Sequence, residues 1–255
     1  MRQTYRSALV TGASSGIGES IARILAERGC DLVLVARRGE LLDGLADDLR
    51  GSRKVGVEVL AADLTDPGQL AGVEERLRGE PVELLVNNAG FGAFGAFAEI
   101  PLDDRLKEIE LNVTALVRLS HAALPGMIAR GRGGVLNVAS IAGFAPSPGS
   151  ATYAATKAFV ASFSESLHAE VRDTGVSVTA LCPGFTRTDE ETAAGLLWLR
   201  RDDVARAGLD AVCAGRAQSV PGLGYKAVMP ALKLVPRPLV RAAVKRMWRQ
   251  AADSQ

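Results

Sequence analysis

Ala8-Leu9-Val10-Thr11-Gly12-Ala13-Ser14-Ser15-Gly16-Ile17-Gly18 opens the first organised segment of the chain. A short apolar run ends in small residues, and a helical pattern starts at once. Small residues let a backbone approach a pyrophosphate closely. A helix N-terminus adds free N–H groups and the positive end of a dipole. The spacing is Gly-x-x-x-Gly-x-Gly rather than Gly-x-Gly-x-x-Gly. Alone, such a cluster is often only a turn. Between a first strand and a first helix it reads as a phosphate loop. Gly12, Ser14, Ser15, Gly16, Ile17 and Gly18 are therefore candidate cofactor contacts.

Further apolar runs follow at 31–36, 55–61, 84–87, 135–139 and 176–181, and a short one near 218–220. Between them lie segments of helical periodicity at 21–28, 40–50, 69–78, 104–130 and 153–172. Strands without a polar break are those buried on both faces. The alternation predicts an α/β fold, a doubly wound parallel sheet of about seven strands with helices on both faces. No repeat or linker marks a boundary, so 1–255 reads as one domain, with 222–255 a basic C-terminal extension.

Thirty basic against 29 acidic residues leave a formal charge of +1, which disfavours a nucleic-acid partner. Cys30, Cys182 and Cys213 are far apart, and His121 and His168 stand alone. Neither a disulfide framework nor a metal site is expected, and a reducing, cytoplasmic setting suits separate thiols. The first apolar run is too short for a signal peptide, and none reaches the ~18 residues of a membrane span, so solubility is expected.

In such sheets ligands sit beyond the carboxyl ends of the strands. The second strand ends in Ala36-Arg37-Arg38, where an NAD site places an acid for the ribose hydroxyls. Two guanidinium groups instead suit the 2′-phosphate of NADP, Arg37 being the stronger candidate; the alternative is a solvated pair at a loop tip. The third strand leads to Asp63-Leu64, where Asp63 is placed to accept from an adenine amino group or, in a turn, to cap the next helix. Asn87-Asn88-Ala89-Gly90 ends the fourth, and suits either close contact with a ribose or a simple turn.

The fifth strand runs into Ser140, and Tyr153 and Lys157 follow with i, i+4 spacing, on one side of a helix. Carbonyl reduction needs a proton for the developing alkoxide. An ammonium about 4 Å from a phenol, at an effective dielectric of ~20, favours the phenolate by roughly 4 kcal/mol, enough to bring a pKa of ~10 near 7. Lys157 is thus expected to lower Tyr153, and Ser140 to hold the substrate oxygen. Asn112 interrupts an apolar helical run and is expected to hold a water near Lys157 or to be structural.

With TGASSGIG at 11–18, NNAG at 87–90, Asn112, Ser140, YxxxK at 153–157 and Pro183-Gly184, the chain resembles the short-chain dehydrogenase/reductase family. The resemblance implies a Rossmann-like fold and a catalytic tetrad of Asn112, Ser140, Tyr153 and Lys157. It further implies cofactor contacts by Asn88, Ala89, Gly90, Pro183, Gly184, Phe185 and Thr188, with backbone near Phe185 at the carboxamide and Thr188 at the phosphates. Tyr153 and Lys157 would also meet the nicotinamide ribose. The implied activity is hydride transfer between NADP(H) and a small-molecule carbonyl/alcohol pair, in homodimers or homotetramers built from helices 104–130 and 153–172. A non-catalytic NADP-binding redox sensor and a membrane-associated interaction protein are the alternatives.

Lys226, Lys233, Arg237, Arg241, Lys245, Arg246 and Arg249 follow the last strand without an acid until Asp253. From Pro238 a helix would carry Leu239, Val240, Ala243, Val244, Met247 and Trp248 on one face and cations on the other. Such a helix packs on a subunit, or else touches a membrane surface or covers the substrate. Leu196, Leu197 and Trp198 in a loop at 189–201 favour an apolar or acyl-chain substrate.

Overall fold

The computed structural model describes residues 3–80, 82–187, 198–222, 224–226 and 238. Its strands are β1 (Ser7–Thr11), β2 (Asp31–Ala36), β3 (Val57–Ala61), β4 (Leu84–Asn87), β5 (Gly133–Val138), β6 (Val176–Leu181), β7 (Thr186–Arg187), β8 (Leu199–Arg200) and β9 (Gln218–Ser219). Seven form one parallel sheet in the order β3-β2-β1-β4-β5-β6-β9, and β7 pairs with β8 in a small ladder. Helices α1 (Gly16–Glu27), α2 (Gly39–Arg53), α3 (Pro67–Gly79), α4 (Leu102–Ile109), α5 (Leu116–Ala129), α6 (Ala151–Glu170) and α7 (Arg201–Cys213) complete the described elements.

Successive strand residues point to opposite faces, which divides the core in two. Val10, Leu34, Val86 and Leu136 pack with Ile21, Leu42 and Leu209 of α1, α2 and α7. Their neighbours Leu9, Val33, Leu85 and Val135 pack on the other face with Leu70, Leu119 and Met127 of α3 and α5. The chain winds from β1 outward to β3, returns to β4 beside β1, and winds outward again the other way. The switch point, and the crevice it opens, lies between β1 and β4.

Several boundaries differ from expectation. The helix expected at 104–130 is interrupted by a π-helical turn, Glu110–Ala115, which joins α4 to α5 and contains buried Asn112. Such turns mark sites where one side chain is displaced from the helical register. α7 has no counterpart among the predicted helices. Its Gly208 blunts the apolar periodicity, yet a Cβ there would meet Leu181 Cδ2 at 2.7 Å, so tight packing on β6 accounts for the glycine. The supposed loop 189–201 ends in β8 and the start of α7. Thr188, Leu196, Leu197 and the helix expected beyond Pro238 lie outside the described residues. Among the described residues no helix is long and apolar enough to cross a membrane.

Candidate active site

At the switch point, Thr11 ties the two central strands together. Its hydroxyl donates to the Val86 carbonyl and accepts from the N–H groups of Asn88 and Ala89, both at 3.0 Å. The Asn88 amide donates to the carbonyls of Thr11 and Gly12 at 3.0 and 3.2 Å, so its side chain braces the loop. Gly12 and Gly16 take φ values of +66° and +59°, the left-handed region that glycine tolerates. A Cβ on Gly18 would fall 2.3 Å from the Gly12 carbonyl oxygen. Ser15, the N-cap of α1, makes no side-chain capping bond, so it leaves the first-turn N–H groups of α1 available to a ligand. The cradle suits a phosphate.

Arg38 Nη2 donates to the hydroxyls of Ser14 and Ser15 at 3.1 and 2.9 Å. It is therefore Arg38 that reaches over the glycine loop, whereas Arg37 acts on Asp63. Burial raises the Asp63 carboxyl, but the Thr65 N–H and hydroxyl, then Arg37 and Lys107, outweigh it and hold it below its ordinary range. Asp63 Oδ1 accepts both Thr65 bonds, at 2.9 and 2.8 Å, forming a turn. The cap of α3 is Asp66 instead. The Leu64 side chain is buried in the core.

Ser140 follows β5 and caps a short 3-10 turn, Ile141–Phe144, accepting from the Ala142 N–H at 3.1 Å. Tyr153 and Lys157 lie one turn apart on α6. Lys157 Nζ donates to the Val138 carbonyl at 2.8 Å and sits 5.6 Å from the Tyr153 ring centroid. Asn112 donates to the Phe91 carbonyl and the Thr156 hydroxyl and accepts from the Phe91 N–H. Its amide is thus engaged at both ends, bracing a loop and α6. Gly90 marks where these parts meet: a Cβ there would lie 2.7 Å from Asn112 Oδ1 and 3.4 Å from Lys157 Nζ.

The electrostatics correct the expected tyrosine. Burial pushes the Tyr153 phenol up; a hydrogen bond with Ser140 opposes this and Glu108 adds to it. Lys157 stands with its ammonium over the ring and donates to the Val138 carbonyl. Lys157 itself is brought down to about 8 by burial, with Cys182 and Glu108 opposing. The folded value lies below the ordinary 10.5, so between them the unfolded chain binds more protons and this group's contribution to stability rises with pH. Wild-type stability should therefore improve relative to Lys157→Met as pH rises above about 8. Urea unfolding on both sides of that pH checks this, and a constant difference excludes it.

Sequence reasoning passed over two features. Asn87 donates to Asn137 and Ser120, and Asn137 to Ser164, forming a fully buried polar chain from α5 through β4 and β5 to α6. Its signal was Asn137 inside an apolar run. The second is Phe91-Gly92-Ala93-Phe94-Gly95-Ala96-Phe97, an aromatic at every third position. Phe91, Phe94, Phe97, Phe185 and Trp198 are between 37% and 70% exposed. The Phe94 ring lies 5.9 Å from that of Tyr153, and Phe185 packs 5.5 Å from Trp198. Behind Phe185, the ring of Tyr225 fills the place of a Gly184 side chain: a Cβ there would fall 2.1 Å from it. Pro183 accepts from the Ile141 N–H, which brings the segment after β6 beside Ser140.

Residues 6–195 match the short chain dehydrogenase family. A short-chain dehydrogenase from Sphingobium yanoikuyae, solved in complex with NADPH, is 40% identical, with a TM-score of 0.82 over 89% of this chain and 92% of that one. The bulky-bulky ketone specific alcohol dehydrogenase from Comamonas testosteroni is 35% identical, with a TM-score of 0.81 over 98% of this chain and 94% of that one. Oxidoreductase UcpA of Escherichia coli (strain K12) is 38% identical over 190 residues, 72% of this chain and 71% of that protein. By the family match over most of its length and by these relatives, the chain belongs to the short-chain dehydrogenase family of oxidoreductases.

Proposed function

We propose that the protein is an NADP(H)-dependent reductase of bulky apolar ketones, with Asn112, Ser140, Tyr153 and Lys157 as its working residues. The observation that carries this reading is the meeting of Tyr153, Lys157 and Ser140 beside exposed aromatic rings, one of them packed on Tyr153 itself. The NADPH of the Sphingobium relative and the bulky ketone of the Comamonas relative support it.

The residues present fit such a cofactor. Gly12, Ser14, Ser15, Gly16, Ile17 and Gly18 would hold the pyrophosphate, and Arg38 with Arg37 the 2′-phosphate. Asp63 and Leu64 would border the adenine, residues 88–90 the ribose, 183–185 the nicotinamide carboxamide, and Thr188 the phosphates. When bound, the cofactor supplies the hydride. Tyr153 Oη donates the proton to the carbonyl oxygen as negative charge develops there. Its raised pKa keeps that proton on at neutral pH, which suits reduction better than oxidation. Ser140 holds the same oxygen by hydrogen bond, and Asn112 keeps α6 and the loop after β4 in register. Exposed Leu102, Leu106, Ile109 and Phe159 on α4 and α6 support a homo-oligomer formed through those helices.

The test is loss of reduced-nicotinamide absorbance with aryl and steroid ketones, ketoacyl thioesters, aldehydes and short aliphatic ketones. Turnover should concentrate on the bulky apolar substrates. Phe94→Ala should raise KM for an aryl ketone about tenfold, the loss of one aromatic contact, while a short aliphatic ketone is little affected. Preference for small hydrophilic carbonyls would count against the reading.

A further inference from the structure

Arg105 and Glu108 lie on the inward side of α4, the glutamate fully buried and the arginine 3% exposed. Arg105 Nη1 is 3.7 Å from Glu108 Oε2 and donates to the Ala93 carbonyl at 2.7 Å. Yet Arg105 Nε and Nη2 and both Glu108 oxygens make no hydrogen bond of good geometry among the described residues, although the Ala93 N–H and the Arg105 guanidinium lie close enough to the carboxyl to act on it. Two charges taken out of water are costly, and a 3.7 Å contact offsets little of that. Two apolar side chains would serve packing better. Buried polar groups left unsatisfied call for another explanation, and their surroundings offer one.

Asn112, one turn further along, grips Phe91 at both its N–H and its carbonyl. Arg105 grips Ala93. Between the two grips, Gly92 comes so near Tyr153 that a Cβ there would fall 2.9 Å from the ring. Phe94 then packs on Tyr153, and Phe97 lies under the Arg105 guanidinium at 5.4 Å. The loop 91–97 is thus held at Phe91 and Ala93 from the α4 side, while its Gly95 N–H donates to the Gly149 carbonyl ahead of α6.

We propose that Arg105 and Glu108 are positioning residues for the reaction: Arg105 fixes the loop 91–97 against Tyr153, and Glu108 keeps a buried negative charge within electrostatic reach of Tyr153 and Lys157. This rests on the roles given above to Tyr153 and Lys157. Glu108 raises both of those groups, so each holds its proton to higher pH, the form that reduction uses. The other groups in play are few. Lys157 meets the Val138 carbonyl from β5, Cys182 after β6 and the Tyr153 ring from its own helix. Tyr153 meets Ser140. Glu108 faces Arg105, the Ala93 N–H and Lys157; burial outweighs all three and raises its own carboxyl.

The experiment compares wild type, Glu108→Gln and the apolar double variant Arg105→Met/Glu108→Met, using propiophenone and saturating NADPH. Both variants should lose about tenfold or more in kcat, and the alkaline limb of kcat/KM should fall by about one pH unit. NADPH affinity by fluorescence titration should stay within twofold, and the double variant should melt no lower than wild type. Independently of turnover, the Tyr153 phenolate, read as absorbance minus that of the matching Tyr153→Phe chain, should appear at lower pH once Glu108 is neutral. Wild-type profiles in either folded variant, for both the rate and the phenolate, overturn the proposal. Should Glu108→Gln fail to fold, the double variant carries the same readouts. A wild type that reduces no ketone defeats the functional reading instead, and the phenolate titration still decides this one.

Discussion

Tyr153→Phe should lower kcat for ketone reduction by about a thousandfold, with NADPH affinity and melting temperature almost unchanged. The substitution removes one oxygen and keeps the ring, whose faces contact Gly92 and Phe94. Packing therefore survives, and the loss isolates the proton donor. No other described side chain is placed to replace it: Ser140 is a far weaker acid, and Lys157 is turned to Val138. Stopped-flow measurement of the hydride step, with the variant at saturating cofactor, separates this from an effect on binding. A residual rate within tenfold of wild type would mean that the proton comes from elsewhere.

The paired variant Arg37→Asp/Arg38→Asp should lower kcat/KM with NADPH by on the order of a hundredfold or more while leaving NADH use within a few fold. Each guanidinium can make charge-assisted bonds to a 2′-phosphate, and an aspartate in its place repels one. Arg38 alone should account for the larger share, since it already lies across Ser14 and Ser15. Arg37, drawn toward Asp63, contributes through charge. Steady-state kinetics with both nucleotides read the ratio directly. Equal efficiency of wild type with NADPH and NADH would sink the assignment.

The local pattern carried most of this site because its residues sit at strand ends, and strand ends are visible as breaks in apolar runs. Thr11 to Gly18, Ser140 and the Tyr153/Lys157 spacing are legible for that reason. Direction and partnership are not. Arg37 and Arg38 are neighbours in sequence, and only the path of β2 into α2 decides which reaches the loop. The bond from Lys157 to the Val138 carbonyl crosses from helix to strand, a partner that spacing along α6 does not show. Asn112 hid its role because the π-helical turn that aims it is a tertiary accommodation, with no composition of its own. Nothing in the sequence sets Arg105 and Glu108 apart from the other charges at 103–110. Only the loop laid over them makes them interior.

The pairing of β1 with β4 has a consequence for how this protein is made. Ala8 meets Leu84 in the centre of the sheet, so the middle of the molecule closes only after α1, β2, α2, β3 and α3 have been laid down. Parallel pairings between such distant segments form slowly compared with helices. The phosphate cradle straddles this seam, Thr11 and Gly12 on one side and Asn88 on the other. A nucleotide that needs both sides recognises only the closed seam and withdraws it from the unfolding equilibrium, by about 2.7 kcal/mol at a hundredfold excess over Kd. Cofactor binding then acts as a latch across the two halves of the sheet, and the folded fraction of the chain rises with the nucleotide concentration.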